Sequence, residues 1–272
     1  MAQFNNLAQR LITATAGSAV VIAALVYSPW TYFAVFALIT VLTLREFYML
    51  SGLDGMLPQK QFGILVGMLI FSSSFFIEFE HISYRYYFLL FPLMSFVYLI
   101  KLYKKNEEKP FTNIAFTFLG LFYVAVPFAL LNIAAFEDGR YNFEIPLGCL
   151  LILWANDSGA YFAGSLFGRT KLFERISPKK SWEGAAGGAV MAIGFAWGLS
   201  SYFLTLPVWQ WISVGAIIVV CGDYGDLVES HLKRSIQIKD SGNTLPGHGG
   251  FLDRFDGLLI SAPFIVAFLE IF

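Results

Sequence analysis

Apolar residues along this chain come in long runs, without the alternation of a half-buried strand. Nine runs stand out, near 11–28, 30–44, 62–77, 86–100, 114–136, 145–166, 184–205, 208–222 and 257–272. A transmembrane helix needs about 20 mostly apolar residues, and in lipid a single segment can pair all its backbone groups only as a helix. The pattern therefore predicts an all-α, polytopic membrane protein with about nine transmembrane helices. Composition agrees. The chain is 57% apolar and 14% charged, with a mean hydropathy of +0.64, whereas a soluble domain is roughly a quarter charged.

The polar residues between the runs set an orientation. With nine spans, the N-terminus and the loops after the second, fourth, sixth and eighth spans share one face. That face holds sixteen of the eighteen Lys and Arg residues, leaving only Arg85 and Arg140 on the other. Basic loops stay cytoplasmic, so the N-terminus is expected inside and the C-terminus outside. Met1 to Arg10 lacks the pattern of a removable signal, so the first span is expected to be retained. Cys149 and Cys221 both fall in apolar runs and imply no disulfide framework. No linker or repeat is visible, so the chain reads as a single membrane domain. Residues 1–145 are expected to be scaffold helices, and 146–272 a catalytic half that carries nearly all the unusual polar residues.

Carboxylates in lipid are costly and point to function. Asp157 sits inside the run 145–166; it is either a site residue or an acid hydrogen-bonded to a neighbouring helix. Asp223, Asp226 and Glu229 follow at spacings of three, which puts them on one helical face. Stacked like charges repel unless a cation sits among them; the alternative is a polar helix end meeting water. Carboxylates suit a hard ion such as Mg²⁺. The three histidines, His81, His231 and His248, are too few and too scattered for zinc. Magnesium usually completes its shell with water and substrate phosphate, which points to a nucleotide or another polyphosphate.

Basic residues supply the complementary charge. Arg169, Lys171 and Arg175 either enforce topology or touch anionic headgroups. Ser177, Lys179 and Lys180 alternate hydroxyl and ammonium groups just before an expected helix start, where backbone N–H groups favour an anion. They are candidate phosphate binders. Gly184 and Gly188 have the spacing of a close helix contact. The densest polar stretch runs from Ser230 through Lys233, Arg234, Lys239 and Asp240 to His248, Gly249, Gly250, Asp253, Arg254 and Asp256. Its glycines let backbone N–H groups approach phosphate, and Lys233, Arg234 and Lys239 can neutralise it. Asp253 can complete a metal site begun by Asp226.

Ser230 to Asp256 resembles the signature of bacterial phosphatidate cytidylyltransferases (CDP-diacylglycerol synthases). That signature runs S-x-x-K-R, four residues, K-D-x-G, two residues, then L-P-x-H-G-G-x-x-D-R-x-D, and it matches without a gap. Trp154 to Tyr161 and Ser177 to Gly184 look like the family's looser polar stretches. The resemblance implies an Mg²⁺-dependent nucleotidyltransferase of phospholipid biosynthesis in a bacterial inner membrane, its site facing the cytoplasm. CTP and phosphatidic acid would be the substrates. Asp226 and Asp253 would be the metal ligands, with a monovalent cation such as K⁺ beside them and a homodimer as a family expectation. Lys233, Arg234 and Lys239 join the two aspartates as catalytic candidates. Asp157, Asp223, Ser230, Asp240, His248, Gly249, Gly250, Arg254 and Asp256 complete the expected binding set with Ser177, Lys179 and Lys180. No nucleic-acid partner is expected.

Three rivals remain at this point. A CTP-dependent lipid kinase would share nucleotide and membrane, but not the complete signature. A cation-coupled transporter predicts acids deep in several spans and internal symmetry; here the acids gather toward one face. A CDP-alcohol phosphotransferase needs a D-G…A-R…G…D…D pattern that this sequence lacks.

Overall fold

The computed structural model describes residues 2–53, 57–105, 107–137, 139–238, 241–242 and 249–272. The predicted apolar runs fall mainly on helix, the run 184–205 outlasting its helix, which ends at Leu199: α1 (Ala2–Tyr27), α2 (Pro29–Leu53), α3 (Lys60–Phe79), α4 (Leu90–Leu102), α5 (Pro110–Gly120), α6 (Val126–Ala134), α7 (Glu144–Phe167), α8 (Trp182–Leu199), α9 (Val208–Ser235) and α10 (Leu252–Ile271). α5 and α6 form one continuous span joined by a π-helical turn over Leu121–Ala125. Pro127 explains that turn. It has no N–H for the Tyr123 carbonyl, and a wider turn upstream absorbs the mismatch. Among the described residues five helical stretches are long and apolar enough to cross a membrane: Pro29–Gly52, Lys60–Phe79, Tyr84–Leu102, Pro110–Ala134 and Val208–Ser235. The chain is a helical, polytopic membrane protein.

Two corrections concern the ends of elements. The predicted run 208–222 stops short, because α9 continues through Ser235. Asp223 to Arg234 therefore lie on helix beyond the end of that apolar run. The loop between α7 and α8 holds an antiparallel hairpin, β3 (Lys171–Phe173) and β4 (Ser177–Ser181), paired Lys171 to Ser181 and Phe173 to Ser177. A second short hairpin, β1 (Phe136–Glu137) with β2 (Arg140–Tyr141), follows α6. Neither hairpin is long enough to leave a period in the sequence.

The chain folds as two compact units. One comprises 1–141 with 240–254, the other 142–239 with 255–272. In the first, Tyr32, Phe36, Phe71, Phe75 and Phe128 are fully buried and pack ring against ring. Their polar atoms are satisfied, since Tyr32 donates to Asn132 Oδ1 at 2.7 Å and Asn132 donates to the Phe71 carbonyl at 2.9 Å. In the second, Trp211 fills the space left by Gly148. α7 and α8 approach closely through Gly159, Gly187 and Gly188, where small residues let backbones meet.

Candidate active site

The second unit carries a cluster of acids. On α9 the spacing of three brings Asp223, Asp226 and Glu229 onto one face, as predicted. α10 crosses α9 where glycine faces glycine: a Cβ on Gly225 would lie 2.6 Å from the Asp256 carbonyl and 2.8 Å from Gly257 Cα. Only hydrogen at Gly225 permits that approach, and the approach delivers Asp256 to the acidic face. One carboxylate oxygen from each of Asp226, Glu229 and Asp256 lies within 4.8 Å of the others. Asp157, on α7, adds its field to Asp256. Ser230 donates to Asp226 at 3.3 Å, and Asn156 hydrogen-bonds Asp223.

Two ammonium groups answer these acids. Lys233 pairs with Glu229 one turn away at 2.6 Å, and both are buried. Lys180 reaches from β4 to Asp226 Oδ2 at 2.8 Å and Asp223 Oδ1 at 3.6 Å, and donates to the Asp223 carbonyl at 3.2 Å. Burial alone would lower the Lys180 pKa, but the carboxylates of Asp226, Asp223 and Asp256 together outweigh it and hold the group above the ordinary lysine value. Asp223, Asp226, Glu229 and Asp256 set four carboxyl groups against two ammonium groups. Hard oxygen donors and close convergence fit a divalent ion of the Mg²⁺ type.

β4 leads directly into α8. Ser181 is the N-cap, accepting from the Gly184 N–H at 3.1 Å, and the Trp182 N–H donates to the Thr170 carbonyl. Glu183, just ahead of the apolar run of α8, accepts from the Arg169 and Thr170 N–H groups. Its own N–H and those two hold its carboxyl down at about 2. The predicted helix start after Ser177–Ser181 is therefore present, and its first donors are already engaged by Ser181 and Glu183. Lys180 turns toward the acids, while Lys179 is exposed.

The first unit holds the other end of the signature. Asp253 accepts from the Ser241 N–H at 3.1 Å and the Gly250 N–H at 3.0 Å. Glu46, buried on α2, accepts from the Leu252 N–H at 2.9 Å. Gly249 has a φ of +79°, and a Cβ there would lie 2.6 Å from the Asp253 carboxylate. A Cβ on Gly250 would strike Ser241 Oγ and Glu46. The glycines at these two positions are thus dictated by a tight fold around two acids.

Residues 8–272 match the family model described as "Cytidylyltransferase family". The chain belongs to the cytidylyltransferase family. Among curated relatives, the phosphatidate cytidylyltransferase of Synechocystis is 30% identical over 96% of this chain and 96% of its own length. That of Bacillus subtilis is 37% identical over 66% of this chain, which spans 65% of the relative. That of Staphylococcus aureus (strain COL) is 35% identical over 63% of this chain and 65% of its own length.

For this cytidylyltransferase-family chain, the structure joins Asp226 with Asp256 and Glu229, and surrounds them with Asp223, Ser230, Lys233 and Lys180. It places Asp253, Gly249 and Gly250 in the fold of the signature loop. Arg234 is exposed and donates to the Ile238 carbonyl at 3.1 Å, closing the end of α9. Arg254 is exposed in the first turn of α10, and Ser177 is half-buried on β4. Lys239, Asp240 and His248 lie outside the described residues. Sequence reasoning missed Glu46 altogether. A single acid following Arg45 at the end of an apolar run looks like a helix meeting water, and only the fold brings it to Leu252. It also missed that Lys180 faces carboxylates, which no local spacing reveals.

Proposed function

We propose that the chain is a phosphatidate cytidylyltransferase, converting CTP and phosphatidic acid to CDP-diacylglycerol and pyrophosphate at the cytoplasmic face of a bacterial inner membrane. The observation that carries this reading is the convergence of Asp226, Glu229 and Asp256 beside Lys180 and Lys233, in a chain that carries the family's signature from Ser230 to Asp256. Asp226, Glu229 and Asp256 would hold Mg²⁺, with Asp253 as the further ligand that the signature implies and a K⁺ ion as companion. When bound, the metal supplies positive charge to the triphosphate and to the departing pyrophosphate.

The reaction is an in-line displacement. A phosphatidic acid oxygen forms a bond to the α-phosphorus of CTP, and the bond to the oxygen bridging the β-phosphorus breaks, its electron pair leaving with pyrophosphate. A phosphate monoester with a second pKa near 6 is largely dianionic at pH 7, so the nucleophile needs no general base. The obstacle is bringing two anions together, and positioning with charge neutralisation dominates such transfers. Lys180, held at the acid cluster by Asp223 and Asp226, is the ammonium proposed to meet substrate phosphate. Lys233 is held by Glu229 and steadies the metal face instead. The acyl chains would stay among the helices in the bilayer.

The test is purified protein in mixed micelles with phosphatidic acid, Mg²⁺ and CTP labelled at the α- or γ-phosphate. α-Label in the extracted lipid is expected. γ-Label in the lipid would favour a lipid kinase, and no label from either would overturn the reading.

A further inference from the structure

Lys180 makes three contacts of the kind a metal ion would make. Its Nζ lies 2.8 Å from Asp226 Oδ2, 3.6 Å from Asp223 Oδ1 and 3.2 Å from the Asp223 carbonyl oxygen. Asp226 is also one of the three carboxylates that converge within 4.8 Å. An ammonium and a divalent ion cannot share the same carboxylate lone pairs without strong mutual repulsion.

The root and the tip of this side chain are held very differently. The next residue, Ser181, is buried, caps α8 and pairs with Lys171 across the hairpin. The backbone of Lys180 is thus fixed by one neighbour. Its four-carbon stem carries a compact charge that can swing about that fixed root. The side chain remains 23% exposed, so it has an outlet. Lys233, by contrast, is buried with Glu229 one turn away on its own helix and has no comparable freedom.

We propose that Lys180 is a built-in counter-cation: its ammonium neutralises Asp223 and Asp226 until a divalent ion enters, is then displaced, and engages the phosphates of the bound nucleotide. The idea rests on the metal-dependent reading given above. It makes metal and nucleotide entry cooperative, because the ion releases the cation that the nucleotide needs. An equilibrium coupling of this kind is reciprocal, so nucleotide bound to Lys180 must also tighten the metal. It also keeps the acid face from standing uncompensated between turnovers.

The experiment measures Mn²⁺ binding to the full-length detergent-solubilised protein by electron paramagnetic resonance, with and without a non-hydrolysable CTP analogue. Lys180→Met should bind Mn²⁺ alone about tenfold tighter than wild type, yet lose the further tightening that the analogue brings. Lys180→Arg should restore that tightening at least in part. Equal or weaker Mn²⁺ binding by a folded Lys180→Met protein would overturn the proposal.

A second measurement needs no variant. Acetylation of Lys180 in the wild type, followed by mass spectrometry, should rise when Mg²⁺ is added and fall again when the analogue follows. Unchanged or reduced acetylation on adding Mg²⁺ would also sink the idea. Wild type that transfers α-label but fails these arms loses only the Lys180 proposal. Wild type that binds no Mn²⁺ under any condition removes the metal reading itself.

Discussion

At the scale of single residues, Asp256 and Lys233 separate chemistry from stability. Asp256→Asn keeps the shape of the side chain but removes a carboxyl donor from the convergent trio. Mn²⁺ affinity and turnover should both fall about a hundredfold, while the thermal midpoint changes little. Lys233→Met acts differently, because it strands the Glu229 carboxylate, which is 1% exposed. Breaking a buried pair by removing one partner costs about 3–5 kcal/mol, so thermal unfolding should move before any kinetic parameter does. If Asp256→Asn proves mainly destabilising and Lys233→Met mainly catalytic, the two roles are reversed. Asp226 was legible as a candidate because it stands at the end of an apolar run with an acid three residues to either side. The part played by Glu229 and Asp256 beside it depends on a helix crossing, which a linear pattern does not encode. Glu46 was invisible for the same reason: its partner Leu252 lies 206 residues away.

At the scale of elements, the crossing of α9 and α10 is the device that builds the acid trio. Gly225→Ala would drive a methyl into the Asp256 carbonyl and Gly257 Cα, both backbone and unable to turn aside. Overpacking of this kind costs about 1–3 kcal/mol, and it should also part Asp256 from Asp226. Gly222→Ala meets only side-chain atoms, of Leu153 at 3.1 Å and Ile218 at 3.8 Å, and should be mild. Mn²⁺ titration of both variants checks this; equal loss of affinity would refute the crossing argument. The hairpin that roots Lys180 has its own signature. Glu183, held at about 2, is depressed from its ordinary value near 4.5. The stability it lends is therefore complete above pH 4.5 and disappears as pH falls toward about 2. Exchange protection of the Arg169 and Thr170 amides should follow that course, and Glu183→Gln should lower protection already at pH 7. Protection that vanishes near pH 4.5 in the wild type would contradict it. Helices were legible throughout because apolar runs near 20 residues leave few alternatives in lipid. Their ends were not, because hydropathy reports where lipid stops and not where the backbone stops coiling. Asp223 to Ser235 kept the helix while leaving the apolar pattern. The β3–β4 hairpin is too short and mixed to have any period.

For the whole molecule, the remaining question is which side of the membrane faces the nucleotide. Sixteen basic residues on one predicted face against two on the other is a bias that insertion normally obeys. On that bias the loop between α7 and α8 and the loop between α9 and α10 would share the cytoplasmic side. The orientation can be tested without touching the site or the charges that set it. In a chain with Cys149 and Cys221 replaced by Ala, Ser201→Cys lies between α8 and α9 and Phe173→Cys lies on β3. A membrane-impermeant maleimide should label Ser201→Cys in intact cells and Phe173→Cys only in inverted vesicles. The opposite pattern would place the acid trio on the outer face, away from cytosolic nucleotide, and a CTP-dependent reaction would then need another explanation for its substrate. Labelling of both positions from the same side would instead mean that the crossings between β3 and α9 are not one, and that α8 does not span.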